Sequence, residues 1–385
     1  MKILFLHTYY LQKGGEDAVF EQDYKLLEKA GLASSLRFRN LSGWQGGLQF
    51  LLSIWNVFAA RKLMRAIRKE QPDIIHMHNL HFAIGPIAIR VAKKAGIPVV
   101  LTLHNFRLLY PSGILFRDDN LVSEVMSGKF PWKAVRNKVY RNSFLQTFWL
   151  AFVVWFHKKI GTWNMTDRYI VQTGFSRDIF VRSSLGIPGE KFLVNPNFVH
   201  PPQRKSIPKR DHFLFIGRLS SEKGIEILLD SFSNSEYELQ IAGDGPLTQR
   251  VSEHCNKNER IKYLGKLDRQ GVYNALEECS ALIFPSIWFE GMPMTILEAF
   301  SLGVPVIASD DGAMSVLIRH GYNGLLFDMG NAEDLKIQLG YWNRLDAGER
   351  QRFSVNALNE FEQKYSPTEY KTNIINIYNQ LMDAN

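Results

Sequence analysis

Short apolar runs alternate with amphipathic segments along this chain, and the alternation occurs twice. The runs include Ile3–Leu6, Val99–Leu103, Tyr169–Val171, Phe213–Ile216, Leu239–Ala242, Ala281–Phe284 and Val306–Ala308. They are rich in Val, Ile, Leu and Phe and show little polar alternation, as strands buried on both faces of a parallel sheet do. Helical patterns lie between them, among them Glu16–Ala30, Ile225–Phe232, Arg269–Cys279 and Thr295–Leu302. Strands covered on both faces by helices restrict the chain to an α/β fold. The first set runs from Met1 to about Phe198. FVHPPQRKSIPKRD (Phe198–Asp211), with its prolines and basic residues, reads as a linker, and a second set opens with HFLFIG. The expectation is two Rossmann-like domains with parallel sheets facing across a cleft. The first is residues 1–198, the linker 199–211, the second 212–365, and a C-terminal helix covers 366–385. The pattern leaves open which domain that helix packs on. In such folds ligands sit at the carboxyl ends of the strands.

At 45% apolar and 22% charged residues, the chain is neither disordered nor low-complexity. Its two cysteines, Cys255 and Cys279, make no disulfide framework and no zinc spacing, which points to a reducing compartment. MKILFLHTYY reads as a first strand and not as a signal peptide. The net charge of +8 is unevenly spread. Residues 1–200 hold 27 Lys and Arg against 13 Asp and Glu, or +14; residues 201–385 hold 19 against 25, or −6. The first half therefore expects an anionic partner: nucleic acid, a membrane surface or a phosphorylated substrate. Two of its segments stand out. Leu48–Lys69 turns from apolar to basic, through Arg61, Lys62, Arg65, Arg68 and Lys69. FLQTFWLAFVVWF (Phe144–Phe156) is almost wholly apolar, with Arg136, Lys138 and Arg141 before it and Lys158 and Lys159 after it. It is too short for the roughly 20 residues a bilayer span needs. It reads either as a core helix or as an interfacial one with Lys and Arg drawn to anionic lipid.

Two segments of the second half carry chemistry. In FIGRLSSEKGIEILLDSF a strand ends at Gly217, and Arg218 and Lys223 sit in the loop before a helix. Gly217 allows close backbone approach, and two cations beside a helix N-terminus suit a diphosphate. In FPSIWFEGMPMTILEAFSLGVPVIAS a strand ends at Pro285 and a helix opens near Pro293. Glu290 lies in the loop and Glu298 on the helix, and carboxylates there can accept sugar or ribose hydroxyls. The amides of Gly291, Met292 and Met294, with Thr295, can donate to phosphate or sugar oxygens, whereas Pro293 has no N–H.

GRLSSEKG, AGDGPL, FEGMPMTILEA and GYNGLLF occur in order at the spacing of the retaining GT-B glycosyltransferases. The chain resembles glycosyltransferase family four, the group 1 glycosyltransferases, over nearly its whole length, and Glu290 to Glu298 matches that family's E-x7-E motif. In the first half ILFLH, KGGED (Lys13–Asp17), DIIHMHN and LTLHNFRLLYPSGILFRD fit as well. The resemblance implies that Arg218 and Lys223 bind the donor diphosphate, Glu298 the ribose and Glu290 the donor sugar's hydroxyls. It implies that Gly14 and Gly15 let a loop lie against the donor. His104 is placed near the reacting centre, and His78, His104, Asn105 and Arg107 toward the acceptor. Glu290, Arg218, Lys223 and His104 are the implied catalytic set. His76, His78 and His81 alternate too closely to make a complete metal site, and no metal is expected. Relatives often carry cysteines after the HN-x-R block, whereas Tyr110, Ser123 and Val125 stand there in this chain. The insert, about Pro111–Lys159, is where acceptor recognition diverges most.

The expected reaction is retaining transfer of a hexosyl unit from a UDP- or GDP-sugar to a hydroxyl of a glycan or lipid-linked acceptor, without a cofactor. By resemblance, the leaving phosphate takes the acceptor's proton on the front face. The sequence contains no Asp-x-Asp, so Arg and Lys take the place of a metal on the diphosphate and activity should survive EDTA. A nucleotide-sugar 2-epimerase of the same architecture is the alternative, although the E-x7-E segment speaks against it. A non-enzymatic nucleic-acid- or membrane-binding protein is a further one. The basic residues form no nucleic-acid motif, so no nucleic-acid partner is expected. The surplus charge points to a cytoplasmic protein held peripherally on the inner face of the cell membrane, beside its nucleotide-sugar donor and lipid-linked acceptor.

Overall fold

The computed structural model describes residues 1–11, 14–115, 129–203 and 211–383. Lys13 of the KGGED segment, Ser123 and Val125 of the insert, and residues 204–210 of the Pro-rich linker lie outside them. The chain forms two compact units, Met1–Asn197 with Tyr370–Asn385, and Phe198–Glu369. The helix Pro367–Asp383 thus belongs almost wholly to the N-terminal unit, where Tyr370, Ile374, Ile377, Tyr378 and Leu381 are buried.

The N-terminal unit is a six-stranded sheet of β1 (Ile3–Tyr9), β2 (Ala33–Arg39), β3 (Ile74–Met77), β4 (Val99–Thr102), β5 (Arg168–Val171) and β6 (Phe192–Val194). Their order is β2-β1-β3-β4-β5-β6, and every pair is parallel. The C-terminal unit holds β7 (His212–Ile216), β8 (Glu238–Ala242), β9 (Ile261–Gly265), β10 (Ala281–Phe284), β11 (Val306–Ser309) and β12 (Gly324–Phe327). Their order, β12-β11-β10-β7-β8-β9, is again all parallel. It is the doubly wound dinucleotide-fold order, whose direction reverses between β7 and β10. In the N-terminal sheet the reversal falls between β1 and β3. Ligands of such sheets bind at that point, outside the carboxyl ends of the strands.

Apolar runs become strands here because both faces are covered. In the C-terminal unit Phe213 and Phe215 point into one core with Leu228, Leu229, Phe232 and Trp342. Leu214, between them, points into the other core with Ile296, Leu297, Phe300 and Phe361. Each fully buried side chain of this size contributes roughly 1.5–3 kcal/mol. Some helices start where polar side chains cap them: Asp268 Oδ1 accepts from Gly271 N, and Asp346 and Glu349 form a capping box.

Leu48–Lys69 is two helices, Gly43–Leu52 and Val57–Glu70. The break falls at Asn56, whose side chain accepts from Ala59 N at 3.1 Å and donates to Ala83 O at 2.9 Å. The apolar run 144–156 lies in the helix Phe144–Lys159, which buries Leu150, Ala151, Val153 and His157 but leaves Phe144 and Leu145 exposed. No helix among the described residues is long and apolar enough to cross a membrane.

Candidate active site

In the C-terminal unit two loops meet at the reversal point because β7 and β10 are neighbours. The loop after β7 runs Gly217–Leu219 into a turn at Ser221–Lys223. Glycines press it into place. A Cβ on Gly243 (φ +144°) would stand 1.8 Å from Gly217 O, so AGDGPL packs directly on the GRL backbone. A Cβ on Gly224 (φ +73°) would stand 1.8 Å from Pro285 O, where β10 ends. Glu222 O accepts from Ile287 N at 3.0 Å and from Ser286 Oγ at 3.2 Å, tying the two loops together.

Lys223 and Glu290 are brought onto each other. Lys223 Nζ donates to Glu290 Oε1 at 2.5 Å and lies 4.9 Å from the centre of the Trp288 ring. The same oxygen accepts from Trp288 Nε1 at 2.5 Å and from Ser286 Oγ at 3.0 Å. Glu290 is only 8% exposed, so this triple donation compensates its loss of water. Ser286 and Trp288 stand in the FPSIWFEG segment, yet nothing in the pattern alone marks them as partners of Glu290. Arg218 is exposed and forms no ion pair among the described residues. Lys223 retains two further N–H donors. Together they leave cationic donors at the mouth of β7.

The helix Met294–Ser301 opens beside them, with Gly291, Met292, Met294 and Thr295 partly exposed. The first amides of a helix have no intrahelical acceptor and favour anions. Glu298, one turn in, has its carboxyl pushed up to about 7 by burial, with Arg269 opposing. Arg269 comes from the helix Arg269–Glu278, a counter-charge that sequence spacing does not reveal.

In the N-terminal unit, Gly14 and Gly15 start the helix Gly15–Glu28 after β1. Neither glycine is required by packing. A Cβ at Gly14 would meet Tyr10 at an ordinary 3.8 Å, and one at Gly15 would meet nothing within 4 Å. Gly14 N donates to Asp17 Oδ2 at 3.1 Å, and His7 Nε2 donates to Asp17 Oδ1 at 2.8 Å. Glu16 gathers the polar groups that sequence reasoning had treated separately. It accepts from Asn105 Nδ2, and from the Tyr10 hydroxyl at 2.8 Å; Arg107 Nη1 donates to that hydroxyl at 2.8 Å. Glu16 and Tyr10 are the site residues the sequence reading passed over, although Glu16 is the fourth residue of KGGED.

His78 follows β3 and His104 follows β4, and His78 Nδ1 lies 2.9 Å from His104 Nε2. Burial pushes the His104 imidazole down to about 4, and His78 and His81 well below their ordinary value. All three are neutral near pH 7. With Glu16 and Asn105 they line one small hollow. His76 points elsewhere: its Nδ1 lies 2.6 Å from the Tyr378 hydroxyl and its Nε2 2.7 Å from Thr102 Oγ1. Among the described residues no three His, Cys, Asp or Glu are grouped to hold a metal ion.

The sequence model of the family described as Glycosyl transferases group 1 matches residues 199–360, and that of Glycosyltransferase Family 4 matches residues 32–202. An uncharacterized glycosyltransferase of Methanocaldococcus jannaschii is 29% identical over 370 residues, 95% of this chain and 89% of that protein. The lipopolysaccharide 1,6-galactosyltransferase of Salmonella typhimurium is 35% identical over 197 residues, 46% of this chain and 52% of that protein. Among solved structures, HepE of Anabaena in complex with UDP superposes with a TM-score of 0.68 at 18% identity, over 99% of this chain and 100% of that one. The two family matches together run from residue 32 to residue 360, and the chain belongs to the group 1 and family 4 glycosyltransferases of GT-B fold.

Proposed function

We propose that this chain is a retaining glycosyltransferase that moves a hexosyl unit from a UDP- or GDP-sugar to a hydroxyl of a lipid-linked or growing surface polysaccharide. The observation that carries this reading is the Lys223–Glu290 pair at the β7–β10 reversal, with Arg218 open beside it. As the bond to the donor diphosphate breaks, negative charge grows on the leaving phosphate. Arg218, the remaining N–H groups of Lys223 and the amides opening the Met294 helix stabilise it. Glu290 holds Lys223 in position and offers its carboxylate to the sugar's hydroxyls, while Glu298 takes the ribose. Gly14 and Gly15 admit the donor's phosphates or sugar against bare backbone. No carboxylate in either unit is assigned as a covalent nucleophile. The family resemblance supports front-face attack, with the leaving phosphate accepting the acceptor's proton. His78, His104, Asn105 and Arg107 line the acceptor side, and Arg and Lys take the charge a divalent metal would otherwise neutralise.

The lipid-linked acceptor is supported by the Salmonella relative, whose name makes lipopolysaccharide its substrate, and by the surface around Leu41–Phe58. The Gly43–Leu52 helix has no fully buried residue. Trp44 is 78% exposed, Phe58 69% and Leu51 55%; Leu48, Trp55 and Val57 are exposed too. Arg61, Lys62, Arg65, Arg68 and Lys69 stand exposed on the next helix. An apolar patch rimmed by cations fits the headgroup zone of an anionic membrane. The interfacial role thus falls on 41–58 more than on the half-buried Phe144–Lys159 helix.

Thermal-shift measurements with UDP, GDP, ADP and their sugars test the donor. A true donor raises the melting temperature in proportion to the logarithm of its concentration over Kd. Transfer to a lipid-linked acceptor should persist in EDTA. If no nucleotide shifts the transition, the donor assignment is wrong. Trp44→Asp/Phe58→Asp protein should lose cosedimentation with anionic liposomes at low salt; wild-type protein that stays in the supernatant would remove the membrane surface from the proposal.

A further inference from the structure

Behind the acceptor-side hollow, His104 and His78 lead into a buried polar chain whose inner members, Asp23 and Tyr370, have no role in the proposed transfer. His104 Nε2 faces His78 Nδ1 at 2.9 Å, and His78 Nε2 faces Asp23 Oδ2 at 3.9 Å. The Tyr370 hydroxyl, from the C-terminal helix, hydrogen-bonds Asp23. Asp23 is 1% exposed and His78 4%. Among the described residues neither His78 Nε2 nor Asp23 Oδ1 has a hydrogen-bond partner. Charged or titratable groups nearby, among the described residues, include His7 on β1, His76 on β3, His81 in the same hollow, Glu16 and Asp17 on the first helix, and Tyr370 and Tyr378 on the last.

We propose that Asp23 is a positioning residue for His104: acting through His78, it decides whether His104 presents a hydrogen-bond donor or an acceptor at Nδ1. The inference rests on His104 facing the acceptor, as assigned above. A neutral imidazole carries one N–H. Of the two nitrogens facing each other at 2.9 Å, one donates and the other accepts. With Asp23 protonated, its O–H turns to His78 Nε2. His78 then donates from Nδ1, His104 accepts at Nε2, and the His104 proton sits on Nδ1. With Asp23 ionised, His78 places its proton on Nε2 toward the carboxylate. His104 then donates from Nε2 and shows a lone pair at Nδ1. The gap of 3.9 Å closes to a hydrogen bond with a displacement of about 1 Å. Burial pushes the Asp23 carboxyl up to about 8, with the Tyr370 hydrogen bond opposing, so both states are populated between neutral and mildly alkaline pH. One proton leaves on ionisation: the Asp23 O–H proton passes to His78 Nε2, the His78 Nδ1 proton passes to His104 Nε2, and the His104 Nδ1 proton departs to solvent through the hollow; protonation runs the relay backward.

Long-range ¹H–¹⁵N spectra of the full-length ¹⁵N-labelled protein read the tautomer directly, with His104 identified by its absence in His104→Gln. The expected result is the Nδ1–H form at pH 6 and the Nε2–H form at pH 9.5. Asp23→Asn, whose amide donates but does not titrate, should hold the Nδ1–H form throughout. Tyr370→Phe should move the transition to higher pH, and it serves where Asp23→Asn fails to fold. A His104 tautomer that is the same at both ends, or a transition that neither variant changes, overturns the proposal. In a transfer assay the kcat/KM profile should bend at the same pH as the tautomer and move with Tyr370→Phe. Protein that switches tautomer but transfers no sugar to a lipid-linked acceptor overturns the proposed substrates and leaves the role of Asp23 intact.

Discussion

The two sheets reverse direction in the same way yet line their reversal points with opposite materials. At the C-terminal reversal the strands end in apolar side chains, and the candidate site holds one ion pair, Lys223–Glu290, beside the exposed Arg218. At the N-terminal reversal the strand ends bury His7, His76 and His78, and the adjoining helix adds Asp17 and Asp23. The difference fits the division proposed above, with the donor diphosphate at the C-terminal reversal and the acceptor hydroxyl at the N-terminal one. A diphosphate is recognised by charge, and two cations and a few amides suffice. An acceptor hydroxyl is recognised by directed hydrogen bonds, which need neutral donors and acceptors held at fixed angles. Burial supplies both, since it keeps the imidazoles neutral and the network rigid.

The comparison breaks most sharply at Lys223. Lys223→Ala should lower kcat on the order of 10²–10³-fold, the usual loss for a transition-state donor, while the variant stays folded. A near-wild-type rate would show that the C-terminal reversal does not carry the charge chemistry. Glu16→Ala comes next. It strips Asn105 and Tyr10 of their shared acceptor and should cut kcat/KM for the acceptor about 10–100-fold, at unchanged donor affinity. An equal loss in donor affinity would assign Glu16 to the donor, with the neighbouring Gly14 and Gly15, and not to the acceptor.

Glu298 sharpens the electrostatic side. Its carboxyl ionises at about pH 7 in the folded state, above its value in the unfolded chain. The unfolded chain therefore releases the proton more readily, and stability falls as pH rises toward 7. Glu298→Gln removes that cost. It should be more stable than wild type by about 1–3 kcal/mol at pH 8 and about equal to it at pH 4.5, by denaturant titration. No gain at pH 8 would mean that Arg269 already compensates the charge. The smallest expected effect is at Gly15, where an added methyl meets nothing. Gly15→Ala should change stability by no more than about 0.5 kcal/mol. If it weakens donor binding all the same, the glycine serves the ligand and not the fold.

Much of this architecture is legible from residue order because burial on both faces is written as unbroken apolar runs. The runs at Phe213, Leu239, Ala281 and Val306 all lie in strands, and Ile225–Phe232 is a helix with those ends. β2 was not legible: ASSLRFR sits at a sheet edge, half-buried along most of its length, and edge strands need no such run. The motif after β7 was legible because Gly224 and Gly243 are there to let backbones touch.

The sequence alone pointed to two Rossmann-like domains and a concentration of positive charge in the first 200 residues, and with the family resemblance it marked Arg218, Lys223, Glu290 and Glu298 as candidates. Tertiary structure alone decided the rest. It paired Lys223 with Glu290 across 67 positions, gathered Tyr10, Asn105 and Arg107 around Glu16, and returned the last helix to the first unit so that Tyr370 reaches Asp23. The reason is physical. A strand records its own burial in its side chains, but a hydrogen bond between distant residues depends on which strand ends the sheet order makes neighbours, and that order is set by the packing of the whole domain.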